Sequence, residues 1–453
     1  MKKFFFITLG LYQTRFWYLV SQYLKHQYNV ESLIISFDTE SSNFLKKYNC
    51  KFIDIDKIIR FKFYNYLSVK KILLNLNKNN LKNFSKLIRH EKLYFSKRNN
   101  LNLLRNFYNN YQILKNKSFF NDKKNIFIQE IGGFIPNILF YELCKKKKLN
   151  HFFLETAFYK DCFHIIKNDY LSVGIKNKKP KDKKYVTTYL QELIKNKSIL
   201  VPLKDKKHFK KPLYKLFDLH NISRFIEKNY KKYFLKYNFV FGSDLRVFFQ
   251  NLSSIKNFFF IKRLYITKLQ GEFVYYPLHV PNDYAITIRS PSYLDQISFI
   301  EEIAKKIYPT RIFIKEHPAK IGLFNLKDLM KLLNNNKNIS IIDPKINNFD
   351  VIKRCKFLVT INSKSGFEAI MLRKHVFTFG DSFYKKSKLV RFCKNVKDFN
   401  INDNYLKKKL SLKNIFDFFN KLKNYSFTGS LYDLSENNIK TFSNSLINLN
   451  NEK

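Results

Sequence analysis

The stretch FLVTINSKSGFEAIMLRKHVFTFG, Phe357 to Gly380, decides the fold. It opens on an apolar run of strand character and breaks at Asn362, Ser363, Lys364, Ser365 and Gly366. A helix-forming segment carrying Glu368 follows, and a second apolar run from His375 to Phe379 closes it. Strand, turn, helix and strand in so short a span mark an α/β sheet. At the turn a new helix presents N–H groups that lack intrahelical partners, which is how such a domain builds a site for an anion, here a phosphate. A second break of this kind is KEHPAKIG, Lys315 to Gly322, directly after the apolar run Arg311 to Lys315.

Outward from these motifs the second half stays regular. Strands are predicted at Phe273 to Tyr276, Arg311 to Lys315, Ile339 to Ile342, Phe357 to Ile361 and His375 to Phe379, with helices between them. Ligands of open α/β sheets bind outside the carboxyl ends of the strands, where every polar motif of this half falls. The first half alternates in the same way, with strands at Phe4 to Thr8, Ser32 to Phe37, Lys51 to Asp54, Asn125 to Gln129 and His151 to Leu154. Lys57 to Lys124 reads as a helical insertion. The segment from Tyr159 to about Tyr237 is basic and reads as mostly helical or irregular, broken at Pro180, Pro202 and Pro212. The expected division is a Rossmann-like domain with helical insertions over 1–237, a second Rossmann-like domain over 238–400 and a helical segment over 401–453.

Several polar residues stand at strand ends. Pro318 stops the ladder after Lys315 and fixes His317 at the terminus, where its imidazole can hydrogen-bond a phosphate oxygen. Ser363 and Ser365 can cap the following helix or donate to a phosphate, and Gly366 admits a close approach. Glu368, one turn in, is placed to accept from ribose hydroxyls or to stabilise the helix dipole. His279 and Asp283 lie in PLHVPND, a loop stiffened by two prolines, and are candidate catalytic groups. Glu130 ends a strand before Gly132 and Gly133, the geometry of a carboxylate that projects into a cleft; such a group can deprotonate an attacking hydroxyl or attack an anomeric carbon. Glu155 is a similar, weaker candidate. Asp54-Ile55-Asp56 has the spacing of a metal-binding carboxylate pair, since period-two alternation would aim both to one side, yet it reads as a strand end, and no metal or cofactor is expected.

At 453 residues the chain is long enough for two domains, and with 45% hydrophobic residues it can bury two cores. The formal charge of +49 suggests nucleic acid, an anionic membrane surface or an acidic substrate. The lysines are dispersed, however, and no reading motif or clustered basic helix accompanies them, so nucleic acid is not the expected partner. Five cysteines, an odd number without a close pair, signal neither a disulfide framework nor a zinc site and point to a reducing compartment. Gln13 and Arg15 interrupt the amino-terminal apolar run, which reads as a strand entering a helix. A cytoplasmic protein is expected, with the basic helical stretches Lys57 to Lys124 and Lys167 to Lys232 able to meet an anionic inner-membrane surface peripherally.

At FVYYPLHVPND, KEHPAKIG and TINSKSGFEAIMLRKHVFTFGDSFY, spanning Phe273 to Tyr384, the chain resembles the bacterial capsule polysaccharide biosynthesis family, whose characterised members are Kdo transferases using CMP-Kdo. The resemblance implies a GT-B arrangement, two Rossmann-like domains facing across a cleft, with CMP held mainly by the second. It implies that His317, Ser363 and Ser365 contact the donor phosphate and Glu368 the ribose; Lys315, Pro318, Asn362 and Gly366 complete the expected nucleotide-binding set. Glu130 would be the carboxylate from the facing domain, and a lipid-linked or glycan chain the acceptor. Two other readings are a teichoic-acid-type glycerophosphotransferase, which also has His-Pro after a strand, and a basic nucleic-acid-binding protein.

Overall fold

Two doubly wound sheets share one plan. The computed structural model describes residues 3–61, 69–78, 84–95, 100–172, 174–177, 183–197, 218–240, 245–402, 404–447 and 449. Pro180, Pro202, Pro212 and parts of both basic stretches lie outside them. The first sheet contains β1 (Phe4–Thr8), β2 (Ser32–Ser36), β3 (Phe52–Asp54), β4 (Ile126–Glu130), β5 (Asn150–Thr156) and β6 (Cys162–Lys167). The second contains β7 (Phe273–Pro277), β8 (Arg311–Lys315), β9 (Ile339–Ile341), β10 (Leu358–Thr360), β11 (Val376–Thr378) and β12 (Arg391–Phe392). The chain then returns to the first sheet as β13 (Phe427–Thr428).

The orders are β3-β2-β1-β4-β5-β6-β13 and β9-β8-β7-β10-β11-β12. In each, three strands are laid down in one direction and the fourth returns to the other side of the first. The crevices therefore open between β1 and β4 and between β7 and β10, at the carboxyl ends. All pairings of the second sheet are parallel. Its central strands β7, β10 and β11 are buried on both faces, as parallel sheets require, while the edge strand β12 is exposed.

Within Tyr159 to Tyr237, expected to be mostly helical or irregular, the chain adds one strand that was not expected, β6, which pairs antiparallel with β5 through a tight turn at Asp161, a residue with φ of 50°. The insertion after β3 does form helices. Val69–Lys78, Phe84–Tyr94 and Asn100–Leu114 bury Ile72, Leu76, Leu87, Leu103 and Phe107 against Phe5, Ile35 and Phe127 of the first sheet. On the opposite face, Phe442 of the helix Glu436–Ile447 meets Phe16 at 4.8 Å and Phe163 at 4.4 Å. Each such buried aromatic contributes about 1.5–3 kcal/mol. A third core joins the halves: Tyr159, Cys162 and Leu190 pack with Tyr275, Phe367 and Phe419.

Candidate active site

At the second crevice the ends of β7 and β10 are tied directly. The Asn362 backbone N–H donates to His279 Nε2 (3.2 Å), and the Asn362 amide donates to Ala285 O (2.8 Å) and Ser290 Oγ (3.0 Å). Since Nε2 accepts, the neutral ring carries its proton on Nδ1. Burial pushes the His279 imidazole down to about 3, with nearby His317 adding to the effect. The chain then enters the helix Lys364–Met371, where Ser363 Oγ accepts from the Ser365 N–H at 3.1 Å. A hydroxyl that accepts in this way keeps its own proton to give to a ligand. Lys364 is exposed beside it, its ammonium 5.4 Å from the Phe158 ring centroid. The Tyr384 hydroxyl donates to Ser363 O at 2.6 Å. A Cβ on Gly366 would lie 2.4 Å from that Tyr384 oxygen, so the glycine makes room for the tyrosine that braces the turn.

His317 is exposed at the end of β8, and its Nδ1 accepts from the Ala319 N–H at 3.2 Å. The loop is folded by Glu316, which accepts from Gly322 N–H (2.9 Å) and Tyr265 Oη (2.7 Å). Pro318 ends the ladder, whose last pair is Pro277 with Lys315. Lys315 turns beneath the sheet, 4% exposed, and donates to Ile346 O at 2.5 Å. Glu368 is buried too. Asn348 donates from Nδ2 to Glu368 Oε2 and to Ser365 Oγ, and accepts from Tyr275 Oη. Burial drives the Glu368 carboxyl up to about 7, against the Asn348 hydrogen bond and the Lys315 and Lys364 charges. Lys315 and Glu368 thus lie under the crevice, His317, Ser363 and Lys364 around its mouth. Asp283 caps the short helix Tyr284–Thr287, accepting from the Ala285 N–H at 2.8 Å.

At the first crevice, Glu130 ends β4 beside the start of the helix Leu11–Tyr28. Gln13 Nε2 (2.7 Å) and Tyr432 Oη (2.8 Å) both donate to its Oε2. Tyr432 comes from the returning carboxyl-terminal segment, which is why local sequence did not single it out. The space against Gly133 is filled by protein: a Cβ there would fall 2.3 Å from the His90 ring. Asp54 and Asp56 do not alternate along a strand, because β3 ends at Asp54 and a helix starts at Ile55. Asp54 accepts from Ser42 Oγ and the Lys57 N–H, while Asp56 accepts from Thr39 Oγ1 in the interior.

The strand ends of the two sheets meet. Glu155, at the end of β5, is held by both guanidinium nitrogens of Arg289, from the loop after β7, and by the Tyr284 hydroxyl. The Ser172 N–H donates to Asp381 Oδ2 (2.9 Å) beyond β11, and Phe158 stacks on Phe383 at 3.8 Å. Arg289 and Tyr284 went unremarked in the sequence; the one cue was a buried-type arginine two residues before Pro291 in a loop otherwise poor in charge.

A family model for capsule polysaccharide biosynthesis proteins matches residues 182–427, more than half of the 453. The chain belongs to this family. A curated relative of this capsule polysaccharide biosynthesis protein is Protein FixF of Sinorhizobium fredii (strain NBRC 101917 / NGR234), 34% identical over 125 residues, which are 26% of this chain and 29% of FixF. The match thus spans less than a third of that relative. Among solved structures, the β-Kdo 2,7 transferase KpsC of Thermosulfurimonas dismutans is 16% identical with a TM-score of 0.36, covering 85% of this chain and 97% of that one. A glycosyltransferase from Rickettsia africae ESF-5 is 11% identical with a TM-score of 0.31, covering 99% and 97%. At such TM-scores these likenesses carry no argument about the site.

Proposed function

We propose that the protein is a glycosyltransferase of capsular or surface polysaccharide synthesis that moves Kdo from CMP-Kdo to a lipid-linked or glycan acceptor. The observation that supports this most is the make-up of the second crevice: a helix N-terminus with two serines, an exposed lysine and an exposed histidine, gathered at the switch point of a parallel sheet. Such a set suits the phosphate of a nucleotide donor. In this reading His317, Ser363, Ser365 and the first N–H groups of the helix hold the phosphate, with Asn362, Pro318 and Gly366 shaping the turn. Lys315 and Glu368 support it from beneath. His279 and Asp283, expected as catalytic groups, hold the loop after β7 in place beside it.

Glu130 is the proposed base. It takes the proton of the acceptor hydroxyl as that oxygen bonds to the anomeric carbon; the bond from that carbon to the phosphate oxygen breaks, and CMP leaves with its charge against the helix N-terminus. The unit 1–237 presents the acceptor, 238–400 the donor, and 401–453 ties the two. The test is turnover of CMP-, UDP- and CDP-activated sugars by the purified chain with a glycan acceptor. CMP release from CMP-Kdo, coupled to acceptor modification, is expected. Consumption of another donor with CMP-Kdo untouched would overturn the donor assignment.

A further inference from the structure

The basic helices differ in what they do with their apolar residues. In those after β3 most of them, among them Ile72, Leu76, Leu87 and Phe107, enter the core on the first sheet. In the helix Leu219–Tyr233 no residue is buried. Leu219, Ile226, Tyr230 and Phe234 are 81%, 62%, 54% and 74% exposed, and with Ile222 and Tyr233 they follow helical spacing, so they form one stripe. The helix Leu245–Ile261 is joined to it through Phe225 and Phe248, stacked at 5.1 Å, and exposes Phe249 and Phe260 at 62% and 53%. So many large apolar groups in water on adjoining helices mark an interaction surface.

Charge selects the partner. Between 219 and 271 there are ten Lys and Arg against two Asp and Glu. Arg224, Lys256, Lys262 and Arg263 are exposed among the apolar groups. A second copy of a chain with formal charge +49 would bring like charge onto this face, whereas an anionic bilayer neutralises it while its acyl region takes up the side chains. Both helices are anchored. Lys231 pairs with Glu40 at 2.7 Å, and Asn257 donates to Gly322 O and Phe324 O, each at 3.0 Å, at the loop that begins with His317. We infer that the exposed face of the helices Leu219–Tyr233 and Leu245–Ile261 docks the protein on an anionic lipid surface, with its aromatic and aliphatic stripe in the headgroup layer. Docking there sets the His317 loop next to the membrane, the side on which a lipid-linked acceptor would arrive; only this last clause rests on the proposed function.

The experiment is sedimentation of the full chain with phosphatidylcholine vesicles and with vesicles containing phosphatidylglycerol, no donor being present, so that the result is separate from turnover. The double variant Ile226→Glu, Phe234→Glu removes part of the stripe and lowers the charge by two. Lys123→Gln, Lys124→Gln lowers it equally at another exposed site. The wild type is expected to pellet with the anionic vesicles only, and the stripe variant to partition roughly tenfold or more weakly, with the lysine variant close to wild type and all three melting alike. Equal loss in both variants, or no pelleting of the wild type at low salt, would overturn the inference. So would a wild-type dimer that the stripe variant converts to monomer in light scattering.

Discussion

Arg289 grips Glu155 with both ends of its guanidinium, Nη1 to Oε1 at 3.1 Å and Nη2 to Oε2 at 2.8 Å, and so joins the strand ends of one sheet to those of the other. Both side chains are largely covered, at 6% and 16% exposure. The same guanidinium donates through Nε to Tyr170 O at 2.7 Å, so the pair meets the demand that a buried charge have its remaining hydrogen bonds satisfied. Glu155 is therefore a tie between the domains.

Breaking the tie leaves one charge buried without its partner. Arg289→Ala should lose about 3–5 kcal/mol of stability, read by urea unfolding, whereas a surface pair such as Lys356 with Glu272 should matter little. Burial would raise the Glu155 carboxyl, but the Arg289 charge and hydrogen bonds, with Tyr284, hold it at about 2. A folded value below the unfolded one of about 4.3 makes this contribution full above that pH and lost as the pH falls toward about 2. The stability difference between wild type and Glu155→Gln should shrink over that window. A difference independent of pH there would refute the tie.

Glu368 has the opposite sign. Burial raises its carboxyl to about 7, so the fold favours the protonated form. Its contribution is full below the unfolded value of about 4.3 and lost as pH rises through about 7. Glu368→Gln keeps an acceptor for Asn348 and cannot ionise. Above pH 8 it should be as stable as wild type or more so, by up to about 2 kcal/mol, and the gain should vanish near pH 4.5. Thermal melts across this range decide it.

Five of the six strands of the second sheet were legible because they are apolar runs ended by polar residues, and the turn Asn362 to Gly366 announces a helix start; β12, two exposed residues, gave no such run. What sequence did not show is which polar residues would be covered. Glu368 stands one turn into the helix, as expected, but Asn348, 20 positions earlier, draws it inward. Lys315 ends β8 in a position that parity aims beneath the sheet. Arg289 and Glu155 are 134 positions apart and meet only when the two sheets do. β6 was missed because its run Cys162 to Ile166 follows β5 after a turn without glycine or proline.

His317 is exposed and set by Pro318 and the Ala319 N–H, so its removal should not disturb the core. If it holds the donor phosphate, His317→Ala should weaken CMP binding by about 1.5–3 kcal/mol, the range for a hydrogen bond to a charged group. Titration calorimetry with CMP measures this. Unchanged affinity in a folded variant would remove His317 from the site.

Glu130 allows a separation of binding from chemistry. Its Oε2 accepts from Gln13 and Tyr432, which orient the carboxylate at the end of β4. An amide oxygen in its place can still accept from both donors but cannot take a proton from an acceptor hydroxyl. General-base removal lowers rates by about 10²–10⁴-fold. If Glu130 is the proposed base, Glu130→Gln should lose kcat by that order while the Kd for CMP, whose proposed site is in the other domain, stays at the wild-type value. Gln13→Ala, which frees the carboxylate from one of its donors, should lower kcat less and leave CMP affinity alone. A Glu130→Gln enzyme with wild-type kcat would move the base elsewhere; one with lost CMP affinity as well would mean that Glu130 supports the fold of the cleft.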